Sequence, residues 1–159
     1  MDKKRIDFAV FCIENVAEYL NLNGAEVYLL LAEKSKILGE YVVAHYDVLH
    51  TQGKEYIVND LVEYIEKERL FETSDYEPPL SNEVITMKAN RTLLQRKYAS
   101  VIAKLSERKG ISLREAMDIF YRSYTYQEMR QGVADMHCRS DGYLVEEIRL
   151  EGVNNENRQ

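Results

Sequence analysis

Tryptophan is absent from this 159-residue chain, and cysteine, proline and histidine occur only two, two and three times. Each scarcity closes off a class of protein. Two cysteines, Cys12 and Cys138, build no disulfide framework, so a reduced setting is expected. Together with His45, His50 and His137 they show no C-x-x-C or H-x-x-x-H spacing, so no metal site is expected. Neither a G-x-x-x-x-G-K-[ST] nor a G-x-G-x-x-G loop occurs, so no nucleotide cradle and no cofactor is implied. A run of about 18 apolar residues is also missing, which argues against a membrane-spanning helix and against membrane partners. The basic start, Met1-Asp2-Lys3-Lys4-Arg5, leads into a stretch interrupted by Asp7 and Glu14, unlike a signal peptide. A cytoplasmic location is the expectation.

What is present points to folded helix. The chain is 45% hydrophobic and 30% charged, an ordinary balance for a folded domain and too apolar for disorder. Its charge is unevenly divided: residues 1–80 carry 8 Lys/Arg against 16 Asp/Glu, and residues 81–159 carry 13 against 11. In the second half Lys88, Arg91, Arg96, Lys97, Lys104, Arg108 and Lys109 are opposed only by Glu107. A basic helix can attract phosphate or an acidic protein surface. The simpler reading is a solvated face, or one leaning on the acidic first module. Nucleic acid is not the expected partner, because the chain lacks the basic balance of a nucleic-acid binder.

The second half also resembles the first. An offset of 87 residues places His50 on His137, Tyr56 on Tyr143, Val58 on Val145 and Asp60 on Glu147. An offset of 89 places Ile13 on Ile102, Val16 on Leu105, Asn23 on Ser112 and Glu26 on Glu115. The offset changes between residues 32 and 48, where a loop tolerates a deletion. A module of about 60 residues is marginal alone, which gives tandem copies a physical motive. The expected architecture is all-α: two small helical modules related by an internal repeat and packed together. Residues 4–69 form the first, 70–82 a linker holding Pro78-Pro79, 83–151 the second, and 152–159 a frayed tail.

Periodicity places the helices. Phe8, Cys12, Ile13, Val16 and Leu20 recur at three- and four-residue spacing over 5–21. Asn23 and Glu26 read as a capping box opening a helix that fades near Lys36, with Gly39 as the break. Tyr41–His50 is strand-like by propensity, but its counterpart is not, so a helical reading is preferred. A helix follows over 54–69. The second module opens with a helix over 83–109, then the capping box Ser112–Glu115, then Tyr124–Gln131, a short turn to His137, and a last helix capped by Ser140-Asp141.

The repeated element supplies the candidate residues: Asp47, His50 and Tyr56 in one half, Asp135, His137 and Tyr143 in the other. Functionally, the histidine is a general base or a pH-sensitive contact oriented by the acid. Structurally, it closes a helix end against free carbonyls. The acid stands three residues before His50 but two before His137, so the same dyad is not presented twice, and the structural reading is favoured. No catalytic residue is assigned; an enzyme using His50 or His137 stays as the alternative, and a nucleic-acid-binding regulator using the basic helix 88–109 as a second. Twelve tyrosines are the other excess. Tyr121, Tyr124 and Tyr126 beside Arg122 and Arg130 form an interface candidate, since both residue types are enriched at protein interfaces. Equally, half-buried tyrosines fill the seams of small bundles.

Phe8-Ala-Val-Phe-Cys-Ile-Glu-Asn15, Tyr46-Asp-Val-Leu-His-Thr51 and Gly53-Lys-Glu-Tyr-Ile-Val-Asn-Asp60 resemble a small bacterial domain family of unknown function. Ser112-Leu-Arg-Glu-Ala-Met-Asp-Ile-Phe-Tyr121 and Met136-His-Cys-Arg-Ser-Asp-Gly-Tyr143 look like the same group. The resemblance implies gene neighbourhoods that also encode ADP-ribosyltransferase-like proteins, in the manner of toxin–antitoxin operons. The resemblance supplies no catalytic residues. With the tyrosine/arginine surface and the charge asymmetry between the halves, the expected function is a non-catalytic interaction module, an antitoxin or accessory partner of a protein encoded nearby, with a homo-oligomer also open.

Overall fold

Every described residue in regular structure is helical, and the computed structural model describes residues 1–68, 70 and 91–156, with backbone alone for 153–156. The all-α expectation holds. The chain divides into two units, one within residues 7–85 and the other made of residues 1–6 with the segment from 86 onward. The expected linker around Pro78-Pro79, the helix start at 83–90 and Lys88 lie outside the described residues.

The unit of residues 7–68 begins within α1 (Lys3–Leu20). Ala9, Val10, Cys12, Ile13, Val16 and Ala17 are all buried, so α1 is covered around most of its girth. It ends at Asn21, whose positive φ of 51° stops the helical run. Asn23 then caps α2 (Gly24–Leu29) through the complete capping box with Glu26 that the sequence pattern predicts. Two π-helical turns follow, Leu30–Lys34 and Leu38–Val43. The break between them is Lys36, at φ 59°, rather than Gly39, which sits inside the second turn. Ser35 fills the gap in the ladder by donating its hydroxyl to the Leu30 carbonyl at 2.8 Å. Short α3 (Tyr46–Leu49) and α4 (Lys54–Lys67) complete the unit. Ile57, Val58, Leu61, Val62 and Ile65 form the buried stripe of α4 at three- and four-residue spacing.

The other unit contains α5 (Arg91–Lys109), α6 (Leu113–Arg122), α7 (Tyr124–Gln131), a 3₁₀ segment (Val133–Cys138) and α8 (Asp141–Glu156). Gly110, at φ 63°, ends α5, and the Ser112–Glu115 capping box opens α6. Tyr98, Phe120, Tyr121 and Tyr126 form a buried cluster whose ring centroids lie 4.9–5.4 Å apart in tilted and edge-to-face pairs. Gly132 closes α7 in the left-handed conformation, φ 70°. The next segment keeps Ala134 and Asp135 left-handed as well, an unusual pair for residues with a Cβ. Instead of fraying at Gly152, α8 runs on to Glu156.

The basic face of α5 has partners within its own unit. Lys97 Nζ lies 2.6 Å from Asp141, and Arg108 reaches Glu146 at 3.7 Å and the Gly142 carbonyl at 3.5 Å. Ser100 donates its hydroxyl to the same Asp141 carboxylate. Burial alone would raise the Asp141 pKa, but the Lys97 and Ser100 hydrogen bonds and the Lys97 and Lys104 charges hold it below its ordinary value. Part of the basic helix thus leans on the acidic start of α8.

Candidate functional site

Helix α4 carries its chemistry on the stripe beside the buried one. Tyr56, Asp60 and Tyr64 stand four residues apart and so line one edge of the helix. Across from them the second π-helical turn supplies Glu40 and Tyr41. A π turn holds an extra residue relative to an α turn, which rotates the following side chains, and such turns recur at functional positions. Here Tyr41 reaches α4 and donates its hydroxyl to Asp60 Oδ2 at 2.7 Å. That hydrogen bond, followed by burial and the nearby Asp60 and Tyr56 groups, pushes the Tyr41 phenol up to about 12. Around the contact is an open cavity of about 400 Å³ lined by Ser35, Ile37, Glu40, Tyr41, Asp60 and Tyr64. Its wall is therefore two phenol rings, two carboxylates, a hydroxyl and one aliphatic side chain. Neither Glu40 nor Asp60 is ion-paired with a lysine or arginine among the described residues.

On the opposite edge of α4 a second groove, about 390 Å³, runs against α1. Lys54, Glu55, Val58 and Asn59 form one wall and Asn15, Glu18 and Tyr19 the other. Lys54 and Glu18 pair across it at 3.1 Å. Asn15 is buried and donates to the Phe11 carbonyl at 2.7 Å, a bond inside its own helix. Tyr19, at the rim, is 61% exposed.

The histidines sit at helix ends in the first of these units. His50 Nδ1 lies 2.6 Å from the Tyr46 carbonyl, and its ring stacks on Tyr46 with centroids 4.4 Å apart. His45 Nδ1 contacts the Tyr41 carbonyl at 3.0 Å. Each of these carbonyls also accepts the backbone amide of the same histidine, at 3.0 Å for His50 and 2.9 Å for His45, so neither ring closes off a free carbonyl. Asp47 is exposed on α3, and Tyr56 is 57% exposed on α4. In the other unit His137 is half-buried, and its Nδ1 has no hydrogen-bond partner among the described residues. Asp135 is exposed in the left-handed stretch, and Tyr143 lies with Arg139 5.7 Å above its ring. His50 and His137 thus occupy unlike surroundings.

The tyrosine/arginine interface candidate needs correction. Tyr121 and Tyr126 are core residues, since their rings join Tyr98 and Phe120 and cannot meet a partner. Only Tyr124, 69% exposed, offers a free ring there. Arg122 is tied to Asp118 at 2.9 Å, and Arg130 is half-buried. Sequence spacing put three tyrosines together, but a helical break at Ser123 turned one outward and two inward.

The cysteines offer no paired chemistry. Cys12 is fully buried in α1, where burial pushes its thiol up and keeps it protonated, while Cys138 is exposed. Among the described residues no group of three or more His, Cys, Asp and Glu side chains could hold a metal ion, and no helix is long and apolar enough to cross a membrane.

Sequence reasoning had not singled out Glu40, Tyr41 or Tyr64. The spacing of Tyr56, Asp60 and Tyr64 was legible, but the Tyr41 contact spans 19 residues and depends on a π turn. Neither the curated proteins nor the solved structures contain a match to this chain. Residues 7–68, the segment holding both α4 cavities, match the family model described as Protein of unknown function (DUF3791).

Proposed function

We propose that this chain is a non-catalytic protein-interaction module, acting as an accessory or antitoxin-like partner, and that residues 7–68 make the contact. One observation carries this reading. Helix α4 opens into a cavity on each flank: exposed Tyr56 stands near Glu40 and Asp60, which have no cation partner among the described residues, and exposed Tyr19 stands near the Lys54–Glu18 pair. Exposed tyrosine beside unneutralised charge suits a recognition surface more than a core. The histidine contacts add support, because His45 and His50 spend a ring nitrogen on backbone carbonyls rather than on a converging group. The companion implied by the resemblance is an ADP-ribosyltransferase-like protein encoded nearby in a bacterial genome, and the setting is the cytoplasm.

Co-expression with the product of the adjacent gene tests this directly. A complex that survives purification, and that weakens by about tenfold or more when Tyr56 is replaced by alanine, is the expected result. Failure to associate at micromolar concentration removes the proposal.

A further inference from the structure

We propose that the cavity formed by Tyr41, Asp60 and Tyr64, with Glu40 and Tyr56 beside it, receives an arginine side chain of the partner protein. The inference rests on the interaction-module reading and names what that surface recognises. Asp60 has one oxygen held by the Tyr41 hydroxyl, while Oδ1 has no partner among the described residues. The hydroxyl bond orients the carboxylate without neutralising it, so the acceptor is fixed before the ligand arrives. Glu40 adds a second carboxylate on the same cavity wall, again without a cation.

Aromatic faces complete the fit. Tyr41 and Tyr64 line the cavity, and Tyr56 stands one turn before Asp60 on α4. A guanidinium is planar, donates in a fork that matches a carboxylate, and stacks on phenol rings with little loss of hydration. A lysine ammonium satisfies the charge but wastes the ring faces. A bare divalent metal would want about six oxygen ligands, and no such group is assembled among the described residues. The volume, about 400 Å³, lies toward the low end of the roughly 300–1,000 Å³ range of ligand pockets. Long-range charge agrees: residues 7–68 hold 4 Lys/Arg against 12 Asp/Glu, a field that draws a basic segment inward.

The test uses the intact chain, titrated with N-acetyl-arginine amide and followed by backbone amide NMR. N-acetyl-citrulline amide, uncharged and nearly isosteric, is the control, and N-acetyl-lysine amide probes the preference for a guanidinium. Saturable shifts centred on Tyr41, Asp60 and Tyr64 with the arginine probe, and none with citrulline, are expected. Asp60→Asn keeps an acceptor for the Tyr41 hydroxyl, so its melting temperature should hold while arginine affinity falls about tenfold or more. Equal shifts with arginine and citrulline overturn the assignment, as do equal shifts with lysine or shifts centred elsewhere. The partner supplies a separate arm. If the wild-type chain holds its companion and Asp60→Asn holds it equally well, the arginine pocket is refuted while the interaction module stands. If the wild-type chain holds no companion, the module reading itself falls.

Discussion

Removing the Glu151 carboxylate should destabilise the unit built on α5–α8 by far more than its half-exposed position suggests. Helix α7 is only eight residues long, and its first amides need outside partners. Ser123 Oγ accepts from the Tyr126 amide at 3.1 Å. Glu151, from α8, accepts from the Tyr124 amide at 2.7 Å, the Thr125 amide at 2.8 Å and the Thr125 hydroxyl. Its negative charge also sits where the helix dipole favours it. In Glu151→Ala the exposed Tyr124 amide turns to water, but Thr125 is only 1% exposed and cannot. A stranded buried donor costs about 1–3 kcal/mol, and the Thr125 hydroxyl can rotate toward a backbone carbonyl, so the expected loss is about 1–3 kcal/mol. Glu151→Gln keeps one carbonyl oxygen and should lose only about 1 kcal/mol. Urea unfolding followed by the near-ultraviolet signal of the buried tyrosines Tyr98, Tyr121 and Tyr126 reads both. A loss below about 0.5 kcal/mol for the alanine variant, or equal losses for alanine and glutamine, refutes the argument.

Three further outcomes follow from single contacts. Asp141 is held below its ordinary value of 3.8, so its contribution to stability is present above that value and disappears as pH falls through the depressed folded value. Asp141→Asn should flatten the acid limb of a stability–pH profile, and an unchanged limb would show that the Lys97 and Ser100 contacts do not survive in solution. Tyr41, pushed up from 10.0 to about 12, contributes stability that is whole below its ordinary value and is lost as pH rises through the folded one. An ultraviolet difference titration should find one late-ionising tyrosine whose midpoint drops toward the ordinary value in Asp60→Ala, which removes both the acceptor and the charge; no such shift breaks the link between the two residues. Finally, Asn23→Ala and Ser112→Ala each open a capping box and should cost about 1 kcal/mol in denaturant unfolding. A cost near zero at both would mean that the helix starts are held by packing alone.

Local chemistry accounts for what the sequence made legible. The capping boxes at Asn23 and Ser112, the stop at Gly110 and the span Tyr124–Gln131 are each decided by a few neighbouring residues. The missed features are not local. A π turn needs no special residue, so Leu30–Lys34 and Leu38–Val43 read as a fading helix with a glycine break. Burial of Tyr121 and Tyr126 depends on which way α7 leaves Ser123, and Glu151 reaches α7 from 26 and 27 residues away. Composition suggested tyrosines at an interface; packing put two of them in the core. The pair most telling for function, Tyr41 and Asp60, was invisible because propensity reads Tyr41–His50 as strand, the comparison with its counterpart reads it as helix, and neither says which way Tyr41 faces.

A comparison of the units by position separates structure from function. Under the offset of 89, Ile13 and Ile102 are both buried, as are Val16 and Leu105, and both helices that follow open with a capping box. Under the offset of 87, Leu49 and Met136, Ile57 and Leu144, Val58 and Val145, and Leu61 and Ile148 are buried pairs, while Tyr56 and Tyr143 are both exposed. Core burial agrees at these positions, as it does wherever two helices each bury one stripe. The cavity does not correspond: Tyr41 falls in the interval where the offset changes, and α6 passes through Ser123 straight into α7 where the first unit inserts its π turns. Asp60 meets Glu147, which has no tyrosine across from it to fix its carboxylate among the described contacts. A carboxylate bonded by one phenol and flanked by another is thus found in residues 7–68 and not at the offset positions of the other unit among the described residues. If recognition lies there, transplanting the Lys36–His45 stretch between Ser123 and Tyr124 should disrupt α7 without creating an arginine site. The facing stripe of α8 carries Tyr143 and Glu147 but Glu151 in place of Tyr64, and that glutamate is already committed to α7.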